Sequence, residues 1–143
     1  SVTEISEYAE AAGVPEAMKQ MRLYPKRLPP PGKRAWCFYP MSKRRDPGAN
    51  WFREEFDQRR SMMEEHGHSG RDFGERILQL VTASTGLDDH EWGVTLFANH
   101  PDDLKAVVYT MRFDEASAVY GIFGRFITGV AGSLDEVFEL LAV

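Results

Sequence analysis

Two short stretches of the chain carry side chains suited to redox chemistry. Residues 38–45 (FYPMSKRR) place the phenol of Tyr39 and the ammonium of Lys43 at the end of an apolar run, and His66 follows 27 residues after Tyr39. A phenol can be oxidised, a lysine can hold an anion, and one imidazole can be an axial ligand of iron. The combination suggests a porphyrin site.

The other histidines and the cysteine are weaker candidates for chemistry. His68 cannot share a helix face with His66, whereas His90 and His100 fall in a turn and a loop. Cys37 is the only cysteine, which excludes an internal disulfide and a thiolate metal cluster. Its apolar neighbours indicate a buried, inert thiol.

Spacing alone leaves structural interpretations open for the same residues. A histidine on an apolar helical stripe is usually a core residue or lies at a helix C-terminus, where the dipole favours it. Tyr39 is equally explained as a packing residue at a strand end, and residues 43–45 as a solvated basic loop.

Composition and charge limit the class of protein. A chain of 143 residues, 43% hydrophobic and 27% charged, fits one soluble domain. The net charge is −5, yet residues 1–45 carry nine Lys or Arg against four Glu. This local excess indicates an anion site rather than a nucleic-acid face. No apolar run is long enough to span a membrane and no signal peptide is visible, so the cytoplasm is expected. The opening residues suggest a chain entered partway along a longer protein.

The periodicity predicts an N-terminal segment with a proline-rich connector over residues 1–33 and one domain over residues 34–143. Pro15 or a start near Glu4 favours a helix before the connector. Residues 34–41 alternate as a strand that Pro40 should end. Asn50 should cap a helix over about 51–67 that Gly67 stops, with Phe52, Phe56, Met63 and His66 on its buried stripe.

Further elements complete the domain. Residues 76–83 and 91–98 read as paired strands, a helix begins at Pro101, residues 122–128 form a last strand, and Ser133 with Glu136 makes a capping box for a helix through Leu141. The order β-α-β-β-α-β predicts an α+β, ferredoxin-like antiparallel sheet with both helices on one face, plus a C-terminal helix. The opposite sheet face should be covered by a second domain or another subunit.

Three motifs carry a family resemblance. Residues 37–45 (CFYPMSKRR), 86–94 (GLDDHEWGV) and 111–117 (MRFDEAS) resemble the signature of the coproheme decarboxylases, a branch of the chlorite dismutase-like haem proteins. The resemblance implies that the chain is the second, porphyrin-binding half of a two-domain subunit. It further implies an N-terminal half missing from this chain and a homopentameric assembly.

The resemblance also assigns residues. It implies that His66 is the axial iron ligand and that Tyr39 and Lys43 are catalytic. The positions that it implies for substrate or cofactor binding are Arg22, Tyr39, Pro40, Met41, Ser42, Lys43, Arg71, Gln79, Arg112 and Ser117. The other ring nitrogen of His66 should donate a hydrogen bond to a carboxylate or carbonyl.

The implied reaction is oxidative decarboxylation of two propionates of iron coproporphyrin III to vinyl groups. Hydrogen peroxide is the oxidant and haem b is the product. The resembling chlorite dismutases carry a distal arginine where this chain has Gln79, which argues against chlorite chemistry. A non-enzymatic haem or porphyrin carrier and a half-domain that only completes an oligomer remain as alternatives.

Overall fold

A computed structural model describes residues 4–23 and 29–141, with the backbone alone for residues 4, 5 and 21–23. In chain order the strands are β1 (Ala35–Lys43), β2 (Arg45–Asp46), β3 (Ala49–Asn50), β4 (Ile77–Ala83), β5 (Trp92–Ala98), β6 (Gly121–Phe123) and β7 (Ile127–Val130). The helices are α1 (Glu4–Ala11), α2 (Glu16–Leu23), α3 (Phe56–Arg71), α4 (Pro101–Thr110), α5 (Glu115–Ala118) and α6 (Leu134–Leu141), with a 3₁₀ turn over Trp51–Arg53.

The main sheet has the predicted ferredoxin-like arrangement. Its strand order is β4-β5-β1, and both β6 and β7 pair with the remaining edge of β1, all antiparallel. β6 and β7 therefore act as one edge strand that is interrupted at residues 124–126. The α+β class and the antiparallel sheet are confirmed. β2 and β3 form a separate small hairpin.

Strand β1 is longer than predicted because Pro40 does not end it. Pro40 pairs in register with Gly93 of β5, and pairing continues to Met41. On the other side, Pro40 lies opposite the interruption between β6 and β7, where its carbonyl accepts the N–H of Gly124. A missing donor is tolerated in a central strand where the neighbouring strand is broken.

The face of β1 that packs against the helices carries the core, as the alternation predicts. Ala35, Cys37 and Tyr39 are buried there with Val94 and Leu96 of β5. Helix α4 contributes further buried residues, and it contacts both β1 and β5. The opposite face presents half-buried apolar side chains, namely Trp36, Phe38, Leu78, Leu80 and Phe97. Their cover by a second domain or subunit stays a prediction.

The helix that carries His66 begins and ends later than predicted. Asn50 does act as an N-cap, but it caps the 3₁₀ turn, and α3 starts afresh at Phe56. This break leaves Phe52 45% exposed and not on the buried stripe. Gly67 lies inside α3, which continues to Arg71. An added Cβ at Gly67 would touch nothing within 4 Å, so this glycine is an exposed helical residue.

The C-terminal half follows the prediction in its helices α4 and α6, but the strand predicted over residues 122–128 is divided into β6 and β7, and α5 was not predicted. Pro101 opens α4, with Leu104 and Val107 buried. The capping box forms, since Ser133 and Glu136 exchange hydrogen bonds between side chain and backbone at 2.8 and 3.2 Å. In the N-terminal segment both proposed starts are used, by α1 and α2. The predicted extended connector over residues 22–33 is corrected at its start, because α2 continues to Leu23; residues 24–28 lie outside the described ranges.

Candidate functional site

Helix α3 and the short helix α5 bring His66 against a buried carboxylate. The Nδ1 atom of His66 lies 2.9 Å from Oδ2 of Asp114, whose side chain is 1% exposed. Asp114 is the N-cap of α5, and its other oxygen, Oδ1, accepts the backbone N–H of Ser117 at 3.0 Å. The two oxygens of one carboxylate therefore fix α5 and His66 together.

The charge of Asp114 decides which nitrogen of His66 carries a proton. Burial by itself would raise the pKa of Asp114, but the hydrogen bonds from His66 and Ser117 outweigh burial and hold that pKa below its usual value. Asp114 is therefore ionised at neutral pH and can only accept a hydrogen bond. In the neutral imidazole of His66, Nδ1 is then the donor, and Nε2 has the lone pair that could bind a metal.

Tyr39 lies on the helix-facing side of β1 and is 9% exposed. Its ring stacks on Phe126 with centroids 4.4 Å apart and meets Phe123 edge-on at 5.9 Å. Burial raises the pKa of the Tyr39 phenol to about 12, with a smaller contribution from Cys37. The phenol therefore keeps its proton throughout the physiological range.

Lys43 lies four residues further along the same face of β1 and is 8% exposed. Its Nζ atom donates to the carbonyl of Ala116 in α5 at 2.5 Å and lies 4.3 Å from the ring centroid of Trp51. A buried ammonium needs such partners, and an aromatic face together with a carbonyl supplies them. Lys43 thus joins β1 to the helix that holds His66.

One cavity brings together six of the residues that the resemblance implies. Its volume is about 100 Å³, and a second cavity of about 30 Å³ adjoins it. The implied residues lining the larger cavity are Tyr39, Met41, Lys43, His66, Gln79 and Ser117. Arg112 lines the smaller cavity beside Tyr39 and His66. The rest of the larger wall is mainly apolar, including Val81, Trp92 and Val94.

The remaining residues of the predicted set lie elsewhere. Pro40 and Ser42 are on the opposite face of β1, where Ser42 Oγ accepts the N–H of Glu91. Arg71 is exposed at the end of α3, and the side chain of Arg22 lies outside the described residues. Gln79 lines the cavity with a side chain that is exposed.

Sequence reasoning missed Asp114. It lies 48 residues from His66, and no spacing rule connects residues so far apart. The available signal was local, because an Asp followed three residues later by a Ser is typical of a helix N-cap. That pattern predicts a capping role, whereas the contact with His66 depends on how α5 packs against α3.

Comparison with known proteins identifies the family of the chain. Residues 1–132 match the family model described as Chlorite dismutase. The coproheme decarboxylase of Oceanobacillus iheyensis is 46% identical over 128 residues, which cover 87% of this chain and 51% of that protein.

Solved structures give the same result. A heme-binding protein from Thermus thermophilus is 41% identical, with a TM-score of 0.76, over 80% of this chain and 46% of that one. Chlorite dismutase from Candidatus Nitrospira defluvii in complex with imidazole shares the fold at 22% identity, with a TM-score of 0.72, over 100% of this chain and 56% of that one. The chain spans about half the length of these proteins, and it belongs to the chlorite dismutase family.

Proposed function

We propose that the chain is the porphyrin-binding half of a hydrogen peroxide-dependent coproheme decarboxylase, a haem enzyme that forms haem b from iron coproporphyrin III. One observation carries the proposal: His66, with Nδ1 donating to Asp114, and the phenol of Tyr39 line the same cavity. The similarity to a coproheme decarboxylase and to a heme-binding protein supports it.

The donor set and the lining fit an iron porphyrin. His66 offers one neutral nitrogen, and the mainly apolar wall suits a flat macrocycle. The space is smaller than the macrocycle, since about 100 Å³ compares with roughly 300–1,000 Å³ for sites that hold ligands of that size. Binding therefore requires the cavity to widen. Tyr8 of α1 and the 37%-exposed Phe123 lie at its wall outside the central strands, so they are the side chains that can move at least cost.

The substrate's four carboxylates call for cations and hydrogen-bond donors around the pocket. Arg112, Gln79 and Ser117 line the two cavities and supply them. Lys43 can hold a carboxylate as well, although its ammonium would then exchange the carbonyl of Ala116 for the substrate. These contacts would hold the reacting propionate at a fixed place relative to Tyr39.

The reaction balances with peroxide as the only oxidant. Each propionate, with one hydrogen peroxide and one proton, gives one vinyl group, one carbon dioxide and two waters. The propionate loses two electrons and the hydrogen of its β-carbon, and peroxide is reduced. The bound iron porphyrin supplies the redox chemistry that connects the two half-reactions.

Tyr39 is suited to carry the hydrogen atom from the propionate. Its pKa of about 12 means that the phenol does not ionise beforehand. Loss of an electron alone would leave a cation among Phe123 and Phe126, so the phenolic proton must leave together with the electron. The oxygen radical that remains is neutral, and it can take a hydrogen from carbon.

The test is incubation of the protein with iron coproporphyrin III and peroxide, with the products resolved by mass. Loss of two carboxyl groups supports the proposal, and unchanged substrate contradicts it. Tyr39→Phe should bind the porphyrin and leave it intact, whereas the matched control Tyr109→Phe, at a 63%-exposed position, should react as the parent does. A Tyr39→Phe variant as active as the parent would contradict the role of the phenol, and porphyrin binding without turnover by the parent would indicate a carrier.

The role of His66 is tested by binding rather than turnover. His66→Ala should lose the absorption bands of the histidine-ligated ferric porphyrin. His68→Ala, two residues away on the exposed side of α3, is the matched control and should keep them. Bands unchanged in His66→Ala would contradict the assignment of His66 as the iron ligand.

A further inference from the structure

A groove on the surface lies beside the candidate site, between α4 and β7. Its volume is about 510 Å³, and its lining is mainly apolar. Val108 and Tyr109 of α4 form one wall, and Thr128 and Val130 of β7 form the other. Tyr109 and Val130 are 63% and 65% exposed, so the groove is open to solvent. A ligand from solution can therefore enter it without a change in the fold.

The groove leads to the small cavity beside His66. Val108, Arg112 and Phe126 line both the groove and that small cavity. The small cavity in turn adjoins the larger one, because Tyr39 and His66 line both of them. The groove, the small cavity and the larger cavity are therefore consecutive spaces between the surface and the imidazole of His66.

Phe126 lies where the groove meets the small cavity. Its ring is half-buried and stacks on Tyr39 with centroids 4.4 Å apart. It belongs to residues 124–126, which interrupt the edge strand, so its backbone lies outside the registers of both β6 and β7. Met111, which also lines the small cavity, is the residue after α4 and has a flexible side chain. The side chains at the junction can therefore rotate with little change in the regular elements.

The size and charge of the groove suit a porphyrin that carries carboxylates. Its volume of about 510 Å³ falls within the range of roughly 300–1,000 Å³ for sites that hold ligands of that size, whereas the two cavities at His66 have volumes of about 100 and 30 Å³. Lys105 and Arg112 line the groove and are exposed. On a chain with a net charge of −5, two cations beside an apolar surface attract and orient an anionic, flat ligand.

We propose that the α4–β7 groove is the entrance through which the porphyrin reaches His66, and that Phe126 is its gate. When the ring of Phe126 turns away from Tyr39, the small cavity opens to the groove. Lys105 attracts the carboxylates of the ligand from solution, and Arg112, which lines both spaces, holds one carboxylate during the passage inward. The identity of the ligand rests on the proposed function, whereas the route rests on the geometry of the three spaces.

The test measures the rates at which iron coproporphyrin III binds and leaves, not its turnover. An obstacle in an entrance slows association and dissociation by the same factor, because both use one path, and the dissociation constant stays unchanged. Val130→Trp narrows the groove, so we expect both rates to fall about tenfold or more. Stopped-flow absorbance measures association, and capture of released porphyrin on excess serum albumin measures dissociation. Leu87→Trp, at an 88%-exposed leucine in the turn after β4, is the control and should keep both rates of the parent.

Two further variants test the charge and the gate. Lys105→Glu should slow association about three- to tenfold at low salt, and the difference should disappear at high salt, where the attraction is screened. Arg53→Glu makes the same change of charge at an exposed residue of the 3₁₀ turn and should slow association by less than about twofold. Phe126→Leu removes the stacking on Tyr39 that holds the gate closed, so association and dissociation should both become faster.

The outcomes separate the entrance from the proposed activity. If Val130→Trp keeps the parent's rates, the porphyrin enters elsewhere and the proposal is overturned. Slower association with unchanged dissociation overturns it too, because the groove would then contact the bound porphyrin rather than lie on its path. A parent that binds the porphyrin at the expected rates without decarboxylating it contradicts the proposed function alone, and a parent that does not bind it overturns both. Far-UV circular dichroism of each variant verifies that it is folded before the comparison.

Discussion

Replacing Asp114 tests whether one buried carboxylate both caps α5 and orients His66. Asp114→Ala removes the N-cap of α5, which costs about 0.5–2 kcal/mol. It also removes the acceptor for Nδ1 of His66, and a hydrogen bond to a charged group contributes about 1.5–3 kcal/mol. The carboxylate of Asp114 is 1% exposed, so solvent screening reduces these free energies only slightly. We expect a loss of about 3 kcal/mol in the free energy of unfolding.

Asp114→Asn separates the two roles. Asparagine caps a helix as well as aspartate does but carries no charge, so we expect a loss of only about 1 kcal/mol. For 143 residues the unfolding entropy is about 0.3 kcal/mol/K, so the Ala and Asn variants should melt about 10 and 3 °C below the parent. Asp102→Asn, in the exposed first turn of α4, is the control and should change stability by less than about 1 kcal/mol.

The pH dependence gives the sign of the charge effect. Since the pKa of Asp114 is lowered in the folded state, its carboxylate stabilises the fold above the ordinary value of 3.8, and this contribution is lost as the pH falls through the folded-state pKa. The contribution of the Asp114 charge to the difference between parent and Asp114→Asn should therefore shrink below about pH 4. Chemical denaturation across this range measures it. Equal stability of parent and Asp114→Ala at neutral pH would refute the reasoning.

Three further predictions concern close packing, capping and the phenol. Gly121→Ala should lose about 1–3 kcal/mol of stability in denaturant unfolding, because its Cβ would lie 2.6 Å from the backbone oxygen of Ser117; an equally stable variant would contradict this. Ser133→Ala should lower stability by about 1 kcal/mol and reduce the far-UV helical signal of α6, and an unchanged signal would contradict the capping box. In an ultraviolet pH titration, the parent should show a phenolate step near pH 12 that Tyr39→Phe lacks. If the step that the variant lacks lies at a lower pH, the burial argument is contradicted.

The fold was largely predictable because its signals are local. The alternation in β1 and the 3-4 spacing in α4 depend only on neighbouring residues, and the order of elements then allows few topologies. The capping box of α6 was predicted to the residue for the same reason. The errors occur where an element's end depends on its three-dimensional surroundings. Pro40 continues β1 because the edge strand is broken opposite it. Gly67 continues α3 because its backbone is not in the left-handed conformation that would end the helix.

The candidate site was predictable in its residue types but less so in its contacts. The alternation placed Tyr39 on the face of β1 where the structure has it, whereas Lys43 was expected in a loop and joins that face because β1 continues to residue 43. No local pattern gives the distance between β1 and α3, so the common cavity of Tyr39 and His66 followed only from the packing of the helices on the sheet. The partner of His66 was expected to be a carboxylate or carbonyl, but its identity as Asp114 required α5 to be placed.

The separation of Tyr39 and Lys43 along β1 limits how one ligand can contact both side chains. Four residues of a strand extend about 13 Å, so the two side chains line the cavity at places separated along β1. Lys43 Nζ is directed to the carbonyl of Ala116, the residue next to Ser117, and Ser117 Oγ lies 3.4 Å from Nδ1 of His66. Lys43 is therefore linked to His66 through consecutive residues of α5. A ligand that contacts both side chains must therefore extend along β1.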